Sequence, residues 1–141
     1  MAKKFTILIA DRNRNVREFL KREMIAEGYR VRLAKNGQEV LKLAYQHGPL
    51  DLLILDMDLP DAIEIPVLEV LGDRIPVLPI VVHSFGSDYP NHLSNPGITA
   101  FVEKSGNSVE RLKEVVLKVL REASLQGPDV PKDVREVTTE L

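Results

Sequence analysis

The chain has 141 residues, a formal net charge of −2 at pH 7, 28% charged residues and no cysteine. This length suits one compact domain with a sizeable core, and the lack of cysteine excludes disulfides, thiolate zinc sites and cysteine nucleophiles. The mildly acidic balance gives no reason to expect binding to nucleic acid or to a membrane surface. The first apolar run is too short for a signal peptide, and no run approaches the length of a membrane span. These features predict a soluble cytoplasmic protein.

Five short apolar runs rich in isoleucine, valine and leucine predict five β-strands. They cover residues 5–10, 29–34, 51–56, 78–83 and 98–103. The first, third and fourth runs are almost continuously apolar, which is typical of central parallel strands covered on both faces. The second run alternates polar and apolar residues, which indicates an edge strand.

Helical patterns lie between these strands. An apolar stripe over residues 16–25 predicts a first helix that either Asn13 or Asn15 caps and that Gly28 ends. Further helices are predicted over residues 36–48, 66–72 and 107–120. The segment 84–97 contains two prolines and two glycines, which predicts an irregular loop or one poor helical turn.

The alternation of strands and helices predicts an α/β fold with a parallel sheet covered on both faces. Five βα units favour a flavodoxin-like (βα)5 doubly wound sheet with strand order 2-1-3-4-5. The predicted domain spans residues 1–125. Residues 126–141 contain two prolines and no apolar stripe, so they are predicted to form a mobile tail.

Polar side chains stand at the ends of four predicted strands, namely Asp11, Asp56, Ser84 and Lys104. Because the carboxyl ends of neighbouring parallel strands meet at one edge of the sheet, we expect these side chains to converge. An aspartate can attack phosphorus and form an acyl phosphate. A lysine and a hydroxyl can stabilise the charge of the transferred group, and a second carboxylate can hold Mg²⁺. The set therefore predicts phosphoryl transfer to a carboxylate.

The motifs around these positions resemble the receiver domain of two-component response regulators, over about residues 5–122. They read ILIADRNRNVREFLKREMIAEGYRV, NGQEVLKLA, LDLLILDMDLP, PIVVHS and ITAFVEKS. The resemblance implies that Asp56 is the phosphoacceptor, Ser84 the switch hydroxyl and Lys104 the phosphate-pairing lysine. A histidine kinase or phosphotransfer protein would be the phosphoryl donor.

The resemblance also implies a Mg²⁺ site and an aromatic switch. Asp11 would belong to the acidic pair that binds the metal together with Asp56 and the backbone carbonyl of Asp58. The side chain of Asp58 is expected either to tune the lifetime of the phosphoryl group or to be a solvated turn carboxylate. Phe101 falls where the family often has an aromatic rotamer switch.

The acidic pair departs from the family pattern, because the family usually has two adjacent acids and this chain has Asp11-Arg12. Replacing a direct metal ligand with arginine predicts weak Mg²⁺ binding. We hypothesise that Arg12 pairs with Asp56 or Asp58 and imitates part of the charge of the metal, since a guanidinium fork suits a carboxylate or a phosphate. A second departure is the sequence DAIEIP after Pro60, where the family has a glycine-containing turn.

Three functions compete at this level. The leading one is a stand-alone receiver that accepts a phosphoryl group on Asp56 and signals by contact with a downstream protein, either as a monomer or as a homodimer. Its enzymatic activity would be at most self-phosphorylation and dephosphorylation. The second is a degenerate receiver in which Arg12 blocks phosphorylation and the fold serves as a binding module.

The third function is a haloacid dehalogenase-type phosphatase, which the D-x-D pattern of Asp56 and Asp58 also resembles. Those enzymes begin with this strand, whereas a βαβα unit precedes it here, so this reading is disfavoured. The histidines at 47, 83 and 92 have no ligand-like spacing and are predicted to be structural. His83 neighbours Ser84 on a strand and should point to the opposite face of the sheet.

Overall fold

A computed structural model describes residues 4–46, 48–86 and 95–126 of the chain. Five strands are present: β1 (Thr6–Ala10), β2 (Arg30–Ala34), β3 (Leu52–Leu55), β4 (Ile80–Ser84) and β5 (Ala100–Glu103). The helices in the described residues are α1 (Arg14–Ala26), α2 (Gly37–Tyr45), α3 (Val67–Leu71) and α4 (Ser108–Gln126). Each predicted strand and helix is therefore found, with its ends displaced by a few residues.

The strands form one parallel sheet in the order β2-β1-β3-β4-β5. This is the predicted flavodoxin-like topology. The strand at one edge is β2, as its alternating pattern indicated, and the strand at the other edge is β5. Residues 87–94 of the predicted irregular segment, the predicted tail after Gln126, and the histidines at 47 and 92 lie outside the described residues.

Apolar layers cover both faces of the sheet because successive strand residues point to opposite sides. On one face, side chains such as Leu8 and Leu53 pack beneath α2 and α3. On the other face, side chains such as Ile7 and Ile54 pack beneath α1 and α4. The central strands β1 and β3 are buried along their whole length. The sheet is therefore a rigid platform for the residues at its carboxyl edge.

Side-chain caps fix the starts of α1 and α2. Asn13, one of the two predicted caps of α1, accepts hydrogen bonds from the backbone amides of Asn15 and Val16 at 2.8 and 3.1 Å. Asn36 accepts from the amide of Glu39 at 2.8 Å, as predicted for the start of α2. Such caps satisfy amides that have no partner inside the helix.

A loop aspartate adds a second cap to α2. Asp61, in the loop that follows β3, accepts hydrogen bonds from the amides of Gly37 at 2.6 Å and Gln38 at 3.0 Å. A Cβ atom on Gly37 would lie 3.0 Å from both Asp61 Oδ1 and Val67 Cγ2, so the approach leaves no room for a side chain. The loop after β3 is thus fastened to the start of α2. Among the described residues, no helix has the length and the apolar character needed to cross a membrane.

Candidate functional site

Four polar side chains meet at the carboxyl edge of the sheet. Asp11 and Asp56 follow β1 and β3, Ser84 ends β4, and Lys104 follows β5. The Lys104 Nζ lies 2.8 Å from Asp11 Oδ2 and 2.9 Å from Asp56 Oδ2. The Ser84 hydroxyl donates to Asp56 Oδ1 at 3.1 Å. The structure therefore brings together the four residues that were predicted to converge from their positions at the strand ends.

The backbone holds these strand ends in register. The amide of Asp56 donates to the carbonyl oxygen of Ala10 at 2.9 Å, and the amide of Lys104 donates to the carbonyl oxygen of Ser84 at 2.8 Å. These bonds extend the pairing of β1 with β3 and of β4 with β5 by one residue. The positions of the side chains are thus a direct result of the strand order.

The carboxylate of Asp56 is buried and fully oriented by donors. It is 4% exposed. Its Oδ1 accepts from the Ser84 hydroxyl and from the amide of Asp58 at 2.9 Å, while its Oδ2 accepts from Lys104. The amide of Met57 in turn donates to Ser84 Oγ at 2.8 Å, which fixes the direction of that hydroxyl. A carboxylate held in this way is ready for a reaction that needs one defined geometry.

Burial and charge act in opposite directions on this cluster. Burial raises the pKa of Asp11 above its ordinary value, although hydrogen bonds from Lys104 and from the amide of Asn13 partly offset that rise. Burial lowers the pKa of Lys104, but the hydrogen bonds and charges of Asp11 and Asp56 outweigh this effect, so its pKa is raised overall. Lys104 therefore carries its positive charge at neutral pH.

Arg12 and Asp58 form an ion pair at the mouth of the site. Arg12 Nη1 lies 3.4 Å from Asp58 Oδ2, and the two side chains are 50% and 69% exposed. Of the two partners proposed for Arg12, the structure thus shows Asp58. The side chain of Arg17 donates from Nη1 to the carbonyl oxygens of Asp11 at 2.7 Å and of Arg12 at 3.1 Å. Arg17 therefore anchors the backbone from which Arg12 extends.

An aromatic ring lies against the lysine of the site. The ring of Phe85 lies over Lys104 Nζ, 5.4 Å from the ring centre, and this side chain is 62% exposed. At this distance the contact is a cation–π interaction. Phe85 was not predicted as a site residue, although an aromatic residue directly after Ser84 is the signal that points to it. The predicted switch residue Phe101 is half-buried against the core beneath α2 and α3, and its switching role stays a prediction.

The residues present do not fit a tightly bound divalent cation. Asp11 Oδ1 accepts from the amide of Asn13 at 2.9 Å, and the remaining oxygens of Asp11 and Asp56 accept from the donors described above. Arg12 stands where a further carboxylate ligand is expected. Within the described part of the chain, no three acidic or histidine side chains are grouped closely enough to hold a metal ion. The oxygen ligands that Mg²⁺ prefers are thus few and already engaged.

A family model for the response regulator receiver domain matches residues 7–117 of the chain. The chain belongs to the response regulator receiver family. The resemblance seen in the strand-end motifs is thereby confirmed, and the family accounts for the five-stranded sheet with two carboxylates, a hydroxyl and a lysine at one edge.

Relatives of this receiver include larger and equally small response regulators. Response regulator MprA of Mycobacterium sp. (strain KMS) is 32% identical over 128 residues, which are 89% of this chain and 55% of MprA. The polar-differentiation response regulator DivK of Brucella anthropi is 30% identical over 126 residues, which are 85% of this chain and 98% of DivK. The chain spans about half the length of MprA and nearly the whole of DivK.

Solved structures of TrrA from Thermotoga maritima resemble this receiver. The crystal structure of response regulator TrrA in complex with Mg²⁺-BeF has 37% sequence identity and a TM-score of 0.69, over 82% of this chain and 98% of that chain. TrrA in complex with the histidine kinase ThkA also has 37% identity, with a TM-score of 0.68 over 82% of this chain and 98% of that chain.

Proposed function

We propose that this receiver accepts a phosphoryl group on Asp56 from a histidine kinase or phosphotransfer protein and signals by contact with a downstream protein. The observation that carries the proposal is the contact of Lys104 Nζ with Asp56 at 2.9 Å, beside a Ser84 hydroxyl that donates to the same carboxylate. The complex of TrrA with a histidine kinase supports the class of partner.

The reaction uses groups that the site already holds. A carboxylate oxygen of Asp56 forms a bond to the phosphorus of a phosphohistidine as the phosphorus–nitrogen bond breaks, and the imidazole leaves with the electron pair and takes up a proton. Lys104 then pairs with a phosphoryl oxygen in place of the carboxylate, because its raised pKa keeps it charged. The Ser84 hydroxyl donates to another oxygen of the transferred group.

Mg²⁺ supplies positive charge and a template in phosphoryl transfer when it is bound. We propose that it binds weakly here, through Asp11, Asp56 and the backbone carbonyl of Asp58. Arg12 weakens this site because it replaces a negative charge with a positive one. The relative TrrA, crystallised with Mg²⁺-BeF, supports the use of this metal within the family.

A degenerate receiver that acts as a binding module is the second candidate function. Arg12 favours it, because the guanidinium occupies the mouth of the site in a pair with Asp58. The buried set of Asp56, Ser84 and Lys104 favours the acceptor function, since a pure binding module has no use for a buried carboxylate held against a lysine and a hydroxyl.

Intact-mass measurement after incubation with acetyl phosphate and Mg²⁺ separates the two functions. We expect the wild type to gain the mass of one phosphoryl group and Asp56→Asn to gain none. Peptide mapping should place the group on Asp56. No gain by the wild type at any concentration of donor and metal would contradict the acceptor function and favour the binding module. The mobile tail, homodimer formation and a cytoplasmic location stay predictions.

A further inference from the structure

We propose that Arg12 binds the phosphoryl group itself, so that Asp56 accepts it without a divalent metal ion. This inference rests on the proposed function and adds a cationic residue of this chain to the reaction. The relative TrrA was crystallised with Mg²⁺-BeF. In the present site, however, the carboxylate oxygens of Asp11 and Asp56 already accept hydrogen bonds or ion pairs from protein groups, which leaves few ligands for a metal ion.

Charge is the first argument. Asp11 and Asp56 in their ionised forms, with Lys104, give the buried cluster a net charge of −1. A phosphoryl group on Asp56 replaces one carboxylate charge with about −2 at neutral pH, and the single ammonium of Lys104 cannot balance the larger sum. A further cation is needed at the mouth of the site, and Arg12 stands there.

The position of Arg12 is the second argument. Its partner Asp58 donates its backbone amide to Asp56 Oδ1 at 2.9 Å, so the guanidinium is paired with the residue that contacts the acceptor. Arg17 fixes the carbonyl oxygens of Asp11 and Arg12 with bonds of 2.7 and 3.1 Å. The side chain of Arg12 therefore extends from a fixed backbone and lies against Asp58, two residues after Asp56.

The weakness of the present pairing is the third argument. A single 3.4 Å contact between two side chains that are 50% and 69% exposed contributes little to stability. A guanidinium can bind two phosphoryl oxygens at once through parallel N–H donors, whereas its present pairing with Asp58 is a single contact. Arg12 thus leaves Asp58 at little cost when a phosphoryl group arrives.

A metal ion in the same place would be opposed by the charges and contacts of the site. It would have to displace Lys104 from the oxygens of Asp11 and Asp56 and lie close to the positive charge of Arg12. With acetyl phosphate as donor, the step balances without metal: an Asp56 oxygen bonds to phosphorus, the phosphorus–oxygen bond to the acetyl group breaks, and acetate leaves with the electron pair.

Phosphorylation by acetyl phosphate in EDTA and in Mg²⁺ tests the role of Arg12 on the full chain. The rates for the wild type should agree within about threefold between the two buffers, because Arg12 supplies the charge in both. Arg12→Gln should be slower in EDTA by about tenfold or more, the loss expected of a charge-assisted hydrogen-bond pair. Arg12→Asp should react only in Mg²⁺. Arg14→Gln removes the same charge from a neighbouring exposed arginine and should behave like the wild type.

Each outcome decides between the proposals. Phosphorylation of the wild type only in Mg²⁺ would overturn the role of Arg12 and leave the acceptor function standing, whereas no phosphorylation in either buffer would overturn both. Equal rates for Arg12→Gln and Arg14→Gln in EDTA would also overturn it. As a second readout, the Nε–H resonance of Arg12 should shift on phosphorylation, and an unchanged resonance would contradict direct binding.

Discussion

His83 is a buried base whose neutral form the fold requires. It is 5% exposed, and its Nε2 lies 3.1 Å from Ser108 Oγ at the start of α4. Its Nδ1 is buried and, within the described part of the chain, has no hydrogen-bond partner. Burial lowers the pKa of His83 to about 4, and the positive charge of Lys104 acts in the same direction, while Asp56 opposes it. The contact with Ser108 directs His83 toward α4, whereas Ser84 contacts Asp56. His83 therefore points away from Ser84, as the alternation of strand residues predicted.

The pKa of His83 predicts how stability changes with pH. In the unfolded chain His83 takes up a proton below its ordinary value of 6.5, whereas in the folded protein it does so only near pH 4. The stability that His83 contributes is therefore full above pH 6.5 and is lost as the pH falls toward 4. The difference between 6.5 and about 4 corresponds to about 3 kcal/mol, of which about 2 kcal/mol is lost by pH 5.

Urea unfolding of the wild type and of His83→Gln at pH 7 and pH 5 measures this loss. The variant cannot titrate at this position, and both proteins share every other ionisable group. Between pH 7 and pH 5 the free energy of unfolding of the wild type should therefore fall by about 2 kcal/mol more than that of the variant. Equal losses, or a His83 resonance that titrates above pH 6 in the folded protein, would refute this reasoning.

Two further substitutions test local contacts by urea unfolding at pH 7. Asp61→Ala removes two helix-capping hydrogen bonds at the start of α2 and should lower the free energy of unfolding by about 1–2 kcal/mol; the exposed Asp73→Ala is the control, and equal effects would contradict the cap. Phe85→Leu removes the ring face from Lys104 and should cost about 0.5–1 kcal/mol. Phe19→Leu, at an exposed ring on α1, is its control, and an equal cost would speak against the cation–π contact.

The sheet and the central part of the site were predictable because both follow from the order of strand and helix patterns along the chain. Strand-length apolar runs separated by helical stripes allow few topologies other than a doubly wound parallel sheet. That topology alone places the ends of β1, β3, β4 and β5 side by side. Asp11, Asp56, Ser84 and Lys104 were therefore identifiable as neighbours before any distance was known.

The contacts that surround this set were less accessible to sequence reasoning. The ion pair of Arg12 joins residues 46 positions apart, and either Asp56 or Asp58 was an acceptable partner until the structure showed which. The cap from Asp61 and the ring of Phe85 depend on how loops approach a helix and a lysine across space. Such approaches carry no periodic signal, because loop conformation follows from tertiary packing and not from a repeating pattern.

The edge position of β5 makes the site depend on the last strand in chain order among the described residues. Among the residues that the structure describes, this strand pairs only with β4, and Lys104 follows it directly. If β5 detaches, Asp11 and Asp56 lose the ammonium that lies between them. Two buried acids without a counter-charge then destabilise the folded arrangement of the other strand ends at the carboxyl edge. A chain that has been synthesised only as far as β4 has the carboxylate of Asp56 but not the ammonium of Lys104. The proposed phosphoryl transfer to Asp56 therefore requires β5 to be paired with β4, because this pairing places Lys104 beside the carboxylate.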